Sequence, residues 1–488
     1  MRRSGKSDGC HLFGFLLIIV AVFAVLTGIN KMTFKRTAVA ALITAMVMST
    51  PAWARSLESE LQGLLVEHPL LKSVRKSVQA SDKGRDVAAA GYYPRFSISG
   101  DSGKEKIDTQ TSITDLNRRK LTATIEQNLY AGGRTAAAVE IADIDYSAQD
   151  NSLRSTTQDL LFEGITAYVQ VARYQTLIAI ARRNEETTQR QLQLENQRVE
   201  RGGGIAVDVM QARARLQLVK ERRVFYEQGL RDAVANYHQV FGHAPELAGM
   251  QELGIFNDRI PKSLDAALAQ GRDQSPRLKE AYLQSKKAQK QIAVERSGMF
   301  PSVDLVGTRG AEKNVNAIAR RDETSVLMRL SWNLFAGFET TNRTEAATIQ
   351  HQAALDREVA VINKTDEAVR IAWNQLINGR EREELLASAA GISYDVMQNR
   401  KRLRDAGKET AINVLDAEVE YYAVLSNKFN AMNDTLIGSY RLLAAIGTLT
   451  PAALGLTEGK FALPVKPLSL DVVKLDAEIA TPGAQQKR

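Results

Sequence analysis

One pattern of punctuation occurs twice in this chain at a nearly constant offset, which constrains the fold to two copies of one unit. Pro94 in GYYPRFSISG is answered by Pro301 in GMFPSVDLVG, 207 positions later. His68-Pro69-x-Leu71-Lys72 is answered at the same offset by Ser275-Pro276-x-Leu278-Lys279. Asn128-Leu129-Tyr130-Ala131-Gly132 returns after 205 positions as Asn333-Leu334-Phe335-Ala336-Gly337. Gly202, with Asp208-Val209 and Ala212, returns at 205 as Gly407, with Asn413-Val414 and Ala417. A two-residue deletion between Pro301 and Asn333 accounts for the shift. The period is far longer than the roughly 20–50 residues of stacked-repeat solenoids.

Each copy opens on a helical stretch, residues 57–90 and 264–297, interrupted near its start by Pro69 or Pro276. Short alternating segments follow. Phe96, Ile98 and Gly100 share one face, with Ser97, Ser99 and Asp101 on the other. Leu121, Ala123, Ile125 and Leu129 then alternate with Thr122, Thr124, Glu126 and Asn128. The second copy repeats the design with Val303 and Leu305, then Val326, Met328, Leu330, Trp332 and Leu334 against Arg329, Ser331 and Asn333. Period-two alternation predicts strands. The polar stretches between them, Lys104 to Asp108 and Arg320 to Asp322, read as loops. Four strands in two hairpins result, each about the length that crosses a bilayer at a tilt. Tyr92, Tyr93, Tyr130, Phe300, Trp332 and Phe335 cluster at the strand ends nearest the helices, where an interfacial girdle would place them. Four strands cannot close a barrel, and lipid tolerates no open edge. The remaining strands must come from other copies of the chain.

After Gly132-Gly133 and after Gly337 a much longer helical stretch begins. Residues 134–201 contain no proline and one glycine. Leu153, Leu160, Ala167, Tyr174 and Ala181 recur at seven, with Gly164, Val171 and Ile178 four beyond the preceding member, which is a heptad-like seam. At ~1.5 Å per residue such a helix reaches roughly 100 Å. Its small core positions require helical neighbours on both flanks. Breakers at Gly202-Gly203-Gly204 and Gly407 precede return helices over 206–240 and 411–446.

The ends carry a different signal. Residues 32–54 hold Lys35 and Arg36, an apolar run and Ala52-Trp53-Ala54, the layout of a signal peptide cleaved after Ala54. A second apolar stretch, Leu12 to Leu26, lies ahead of it. Met32 is then the expected start of synthesis, the rival being a membrane anchor or a long signal. The expected divisions are 1–54 for extension and signal and 55–245 for the first repeat (hairpin 92–130, helical hairpin 134–242). A linker, 246–262, leads to the second repeat, 263–451 (hairpin 299–335, helical hairpin 338–447), and a tail, 452–488. Residues 1–54 hold six Lys/Arg and one acid, so they supply most of the formal charge of +8, and the remainder gives no argument for nucleic acid. The single cysteine, Cys10, lies in that segment. From residue 55 onward no thiolate metal site, cysteine nucleophile or disulfide can form.

Two helix–hairpin–helix units, with hairpins flanked by YYP and LYAGG-type turns and a G-x5-[DN]-V turn between antiparallel helices, resemble the TolC family of outer-membrane channel proteins. The likeness spans about residues 56–451. It implies a mainly α fold with a small β part: internally duplicated long antiparallel helical hairpins forming an α-helical barrel, plus four transmembrane strands per protomer. In a homotrimer these complete a 12-stranded β-barrel in outer-membrane lipid of a Gram-negative bacterium, with the helical part in the periplasm. The family's members are passive exit ducts engaged by a periplasmic adaptor (membrane fusion) protein and an inner-membrane transporter. The resemblance places the pore constriction just after the second turn, at Asp416 and Asn413. Because Asn413 is an amide, one acidic ring is expected where relatives have two. Carboxylates converging in a pore attract cations. The periplasmic tip, for adaptor contact and gating, maps to Gly202, Gly203, Asp208, Arg404, Gly407 and Lys408. An Asp208–Arg404 or Asp208–Lys408 pair would be the latch. Plainer readings stand beside these: a solvated carboxylate at Asp416, a helix N-terminal acid at Asp208 and simple C-cap glycines.

Chemistry of other kinds finds little support. His68, His238, His243 and His351 are scattered without metal spacing, and no phosphate loop, nucleophile elbow or zinc helix occurs. The expectation is no enzyme, no cofactor and no metal. Within the duct class, type I protein secretion with an ABC transporter leads over drug or metal efflux. A periplasmic coiled-coil adaptor or scaffold is the alternative of another class; it should lack two amphipathic strand pairs at equivalent places.

Overall fold

The computed structural model describes residues 56–109, 112–315, 318–456, 463–470 and Val472. The signal-peptide reading and much of the 452–488 tail lie outside the described residues. The duplication is visible in the lengths of the elements. In the first copy, α1 (Leu57–Glu67) and α2 (Pro69–Ala89) have 11 and 21 residues; in the second, α5 (Leu264–Gln274) and α6 (Pro276–Arg296) have the same 11 and 21. Each pair is split for one reason. The proline takes the first helical position, where its missing N–H costs nothing, and holds the preceding residue, His68 or Ser275, in extended backbone. Ser56 and Ser263 cap the first helix of each pair through side-chain oxygens.

The long helices α3 (Arg134–Glu200) and α7 (Glu339–Asp405) both have 67 residues, about 100 Å each. Their return partners are α4 (Ala206–Phe241) and α8 (Ala411–Ala445). No described helix is long and apolar enough to cross a membrane. The expected seam of α3 is buried at Leu160, Gly164, Ala167, Val171, Ile178 and Ala181, and half-buried at Leu153 and Tyr174. A second face of α3, with Leu161, Ile165, Tyr168 and Ala172, is buried as well, so this helix has neighbours on both sides: α4 on one, α8 on the other, with α2 and α6 toward the sheet. The largest core cluster gathers Leu57, Tyr168, Tyr237, Leu376, Tyr440 and Leu443 where these helices meet the short ladder of β3 (Gln251–Leu253) and β6 (Val465–Pro467). The Tyr440 hydroxyl donates to the Gly254 carbonyl at 3.0 Å.

The remaining strands form one antiparallel sheet in the order β1 (Arg95–Thr109), β2 (Ser112–Ala131), β4 (Ser302–Val315), β5 (Ile318–Ser331). Here the loop expectation is corrected. Lys104–Asp108 and Arg320–Asp322 are strand, and the ladders run on past the apolar part to the hairpin ends. Charged residues are poor strand formers alone, but register places opposite charges side by side. Asp101 faces Lys120, Lys120 faces Glu312, and Glu312 faces Arg321. Gly132, at the foot of β2, has φ +62°, and a Cβ there would sit 2.5 Å from the Ser297 carbonyl oxygen of the second copy, so only glycine lets the two hairpin bases meet.

Candidate functional site

Two regions carry the features that the sequence singled out. The first is the sheet. Phe96, Ile98, Leu121, Ile125, Leu305, Val326, Met328 and Leu330 share one face through the ladder register, and all are exposed. Tyr92, Tyr93, Tyr130, Phe300, Trp332 and Phe335 are exposed too. The chain gathers them at the helix-side end of the sheet, because Tyr92 and Tyr93 precede β1, Tyr130 ends β2, Phe300 precedes β4, and Trp332 and Phe335 follow β5. Trp332 Nε1 donates to the Met299 carbonyl at 3.2 Å, and Phe335 meets Phe338 edge-on with centroids 5.4 Å apart. An apolar face ending in amphipathic rings has the layout of a membrane-facing sheet bordered by an interface.

The second region is the far end of the helices, where each long helix turns back. Both turns use the same device. Gly202 (φ +76°) and Gly407 (φ +72°) adopt the left-handed conformation just beyond α3 and α7. Gly202 N–H bonds the Val199 carbonyl and Gly203 N–H bonds that of Arg198; Gly407 N–H bonds the Arg404 carbonyl and Lys408 N–H that of Leu403. This is the Schellman pairing, which satisfies helix-end carbonyls and reverses the chain within a few residues.

The second turn is fastened on its far side by Thr410, the N-cap of α8, whose hydroxyl accepts from Asn413 N–H. The Glu409 carboxylate accepts from the Asn413 side-chain amide at 2.6 Å and from Thr410 N–H at 3.0 Å. Those bonds, the Asn413 one first, hold the Glu409 carboxyl below its ordinary range. Asn413 is thereby spent on its own turn. Asp416 differs. Val414 and Leu415 are buried, Leu415 in a cluster with Leu192, Val209, Ala212 and Leu216, and this turns the exposed Asp416 away from the helical core. Its carboxylate meets Arg215 of α4 at 3.1 Å.

Asp208 lies in the first turn of α4, where its charge suits the helix dipole. Among the described residues no ion pair joins it to Arg404 or Lys408. Arg404 is held instead by Asp405 at 2.9 Å and by Gln191 of α3 at 3.2 Å, while Lys408 is exposed. Two residues of this region were missed by sequence reasoning. Arg215 has no echo in the repeat, since Glu420 stands at the matching position of the second copy. Glu418, 1% exposed, pairs with Lys401 of α7 at 2.7 Å. A carboxylate at the buried seam position midway between Ala411 and Leu425 was the available signal for it.

The family model described as outer membrane efflux protein matches residues 61–243 and 267–448. The outer membrane efflux protein BepC of Brucella suis is 25% identical over 442 residues, 87% of this chain and 92% of that protein. The alkaline protease secretion protein AprF of Pseudomonas aeruginosa is 26% identical over 444 residues, 85% of this chain and 89% of that protein. Among solved structures, the CmeC outer membrane channel of Campylobacter jejuni has the same fold, with a TM-score of 0.71 at 13% identity, over 88% of this chain and 90% of that one.

Proposed function

Because the chain belongs to the outer membrane efflux protein family, we propose that three copies assemble into one duct, four strands from each closing a twelve-stranded barrel in the outer membrane and the helical hairpins forming a tunnel in the periplasm. The observation that carries this is a pair of unfinished edges. Among the described residues β1 pairs only with β2, and β5 only with β4. Hydrocarbon leaves no water to satisfy those edges, so a lone four-stranded sheet cannot stand in it. The antiparallel order lets β5 of one copy pair with β1 of the next, and twelve is an allowed even count. The helices repeat the problem. In the sequence α4, α3, α8, α7 across the protomer, the outer members expose apolar side chains: Met210, Leu218 and Phe225 on α4, and Leu385, Ile392, Val396 and Leu403 on α7. The α7 set is spaced at seven, four and seven, the spacing of a seam without a partner. Two unlike edges that meet head to tail close a ring when the rotation between copies is a whole fraction of a turn, here a third. The two repeats, 55–245 and 263–451, would be its alternating staves.

The protein is an outer-membrane channel and not an enzyme. In our reading it is a passive exit whose narrowest ring is formed by Asp416, with Gly202, Gly203, Asp208, Arg404, Gly407 and Lys408 at the tip that a periplasmic adaptor engages. We assign it to type I secretion alongside an ABC transporter, supported by the likeness to a protease secretion protein. Drug or metal efflux is the second reading, favoured by the likeness to an efflux protein. The test is a gene deletion with two readouts, paired with bilayer recording of the purified protein. We expect a trimer with a mostly closed, cation-preferring pore, and the loss of a large polypeptide from the culture medium on deletion. A normal secretome with raised drug or metal sensitivity would overturn the secretion reading. A monomer that stays in water would overturn the duct itself.

A further inference from the structure

Two adjacent rows of the sheet, one residue apart along the same strands, treat charge in opposite ways. On the lumen-facing side the row Asp101, Lys120, Glu312, Arg321 alternates in sign across four strands. Its cations are paired: Lys120 with Glu312 at 2.8 Å and Arg321 with Glu323 at 3.0 Å, while Arg118 nearby holds Asp101 at 3.0 Å and Glu105 at 3.2 Å. The next row faces the opposite way, on the side of Phe96, Ile125 and Met328. There Arg119 stands directly opposite Lys313, and Lys313 directly opposite Arg320. Like charges in facing positions destabilise a sheet. Among the described residues, Arg119 and Lys313 have no ion pair, and Arg320 has only the exposed Asp322 on its own strand. Lys104 on β1, a diagonal neighbour of Arg119, extends the patch, again without an acidic partner among the described residues.

Depth fixes what can sit there. Arg119 lies eleven residues along β2 from Tyr130 in the aromatic girdle. At ~3.3 Å per residue and a tilt of ~40° this is roughly 28 Å of height, against ~25 Å for the apolar band of an outer-membrane barrel. The row therefore emerges where the hydrocarbon ends, on the side away from the periplasmic helices. Every trimer would carry three such patches, all facing lipid.

We propose that Arg119, Lys313 and Arg320 seat the phosphate groups of anionic lipid headgroups in the outer leaflet of the outer membrane. Phosphates between facing cations remove the repulsion that the sheet would otherwise bear, and long Arg and Lys stems reach the headgroup level from strands within it. This inference rests on the barrel reading above. The test incubates the purified trimer with bisphosphorylated lipid A or its dephosphorylated form and counts retained lipid by native mass spectrometry. The unmodified protein should retain the bisphosphorylated form selectively. Replacing Arg119, Lys313 and Arg320 together by Ser should weaken retention by about a hundredfold, at about fivefold per cation. Arg321→Ser, next in sequence but on the lumen face, should change it less than twofold. If the triple variant does not assemble, Lys313→Gln alone should still show the fivefold loss. Equal retention by the triple variant, or of dephosphorylated lipid A, would overturn the proposal, as would displacement by millimolar inorganic phosphate, which would mark the row as a free-anion site. Failure to trimerise or insert would count against the duct; an inserted trimer indifferent to lipid phosphate counts only against this seat.

Discussion

Removing one side of the Arg215–Asp416 pair should tilt ion preference one way, and removing the other side should tilt it the opposite way. The two groups meet at 3.1 Å with side chains 45% and 47% exposed. At that exposure the pair contributes about 0.2–1 kcal/mol, so neither variant should unfold the tip. In the proposed trimer Asp416→Asn would leave three unpaired guanidinium groups, and Arg215→Gln three unpaired carboxylates. For an ion passing about 6 Å from each, Coulomb's law in water gives about 0.7 kcal/mol per charge and about 2 kcal/mol for the ring. Screening over a Debye length of ~8 Å at physiological salt lowers this to about 1 kcal/mol, a roughly fivefold change in permeability ratio; at 1 M salt, with a ~3 Å length, less than twofold remains. The assay is the reversal potential across a planar bilayer under a KCl gradient, with both solutions kept near physiological strength and then raised. Arg215→Gln should become more cation-preferring, and Asp416→Asn less so with higher conductance. Shifts of the same sign, no shift, or a shift that persists undiminished at 1 M would refute the assignment of this pair to the constriction.

Two further outcomes test the turns. Gly202→Ala and Gly407→Ala meet no atom within 4 Å, so their cost is that of left-handed backbone alone, about 1–2 kcal/mol each. Amide exchange near residues 198–203 or 403–408 should accelerate roughly 5–30-fold, and unchanged exchange would show that the turns are not held by this geometry. Glu409 has a folded pKa held below the ordinary glutamate value of 4.5 by the Asn413 amide and the Thr410 N–H. Its contribution is thus present above that value and is lost as pH falls through the lower folded value. The protection of the Thr410–Asn413 amides, taken as exchange relative to the intrinsic rate at each pH, should fall on acidification into that window in the unmodified protein, and Glu409→Ala should show the low protection at neutral pH with no acid step.

Features decided by neighbours in sequence were legible from the sequence. Pro69 and Pro276 split their helices because a proline constrains only the residue before it and its own turn. Gly202 and Gly407 end theirs because left-handed backbone is a property of one residue. Apolar alternation in 96–100 and 121–129 marked strands that one-sided burial requires. The likeness between the copies survived because both must satisfy those same local demands. What the sequence could not set was the relation between segments distant along the chain. Lys104–Asp108 and Arg320–Asp322 look like loop by composition and become strand through register across the sheet, where the lumen-facing charges meet their opposites. Arg215 and Asp416 lie some two hundred residues apart, and their meeting depends on how α4 rotates against α8 over the Leu415 cluster. Arg404 turned to Gln191 for the same kind of reason. A charge finds its partner by the distances available in three dimensions, and those are fixed only when the helices pack and the strands choose their register.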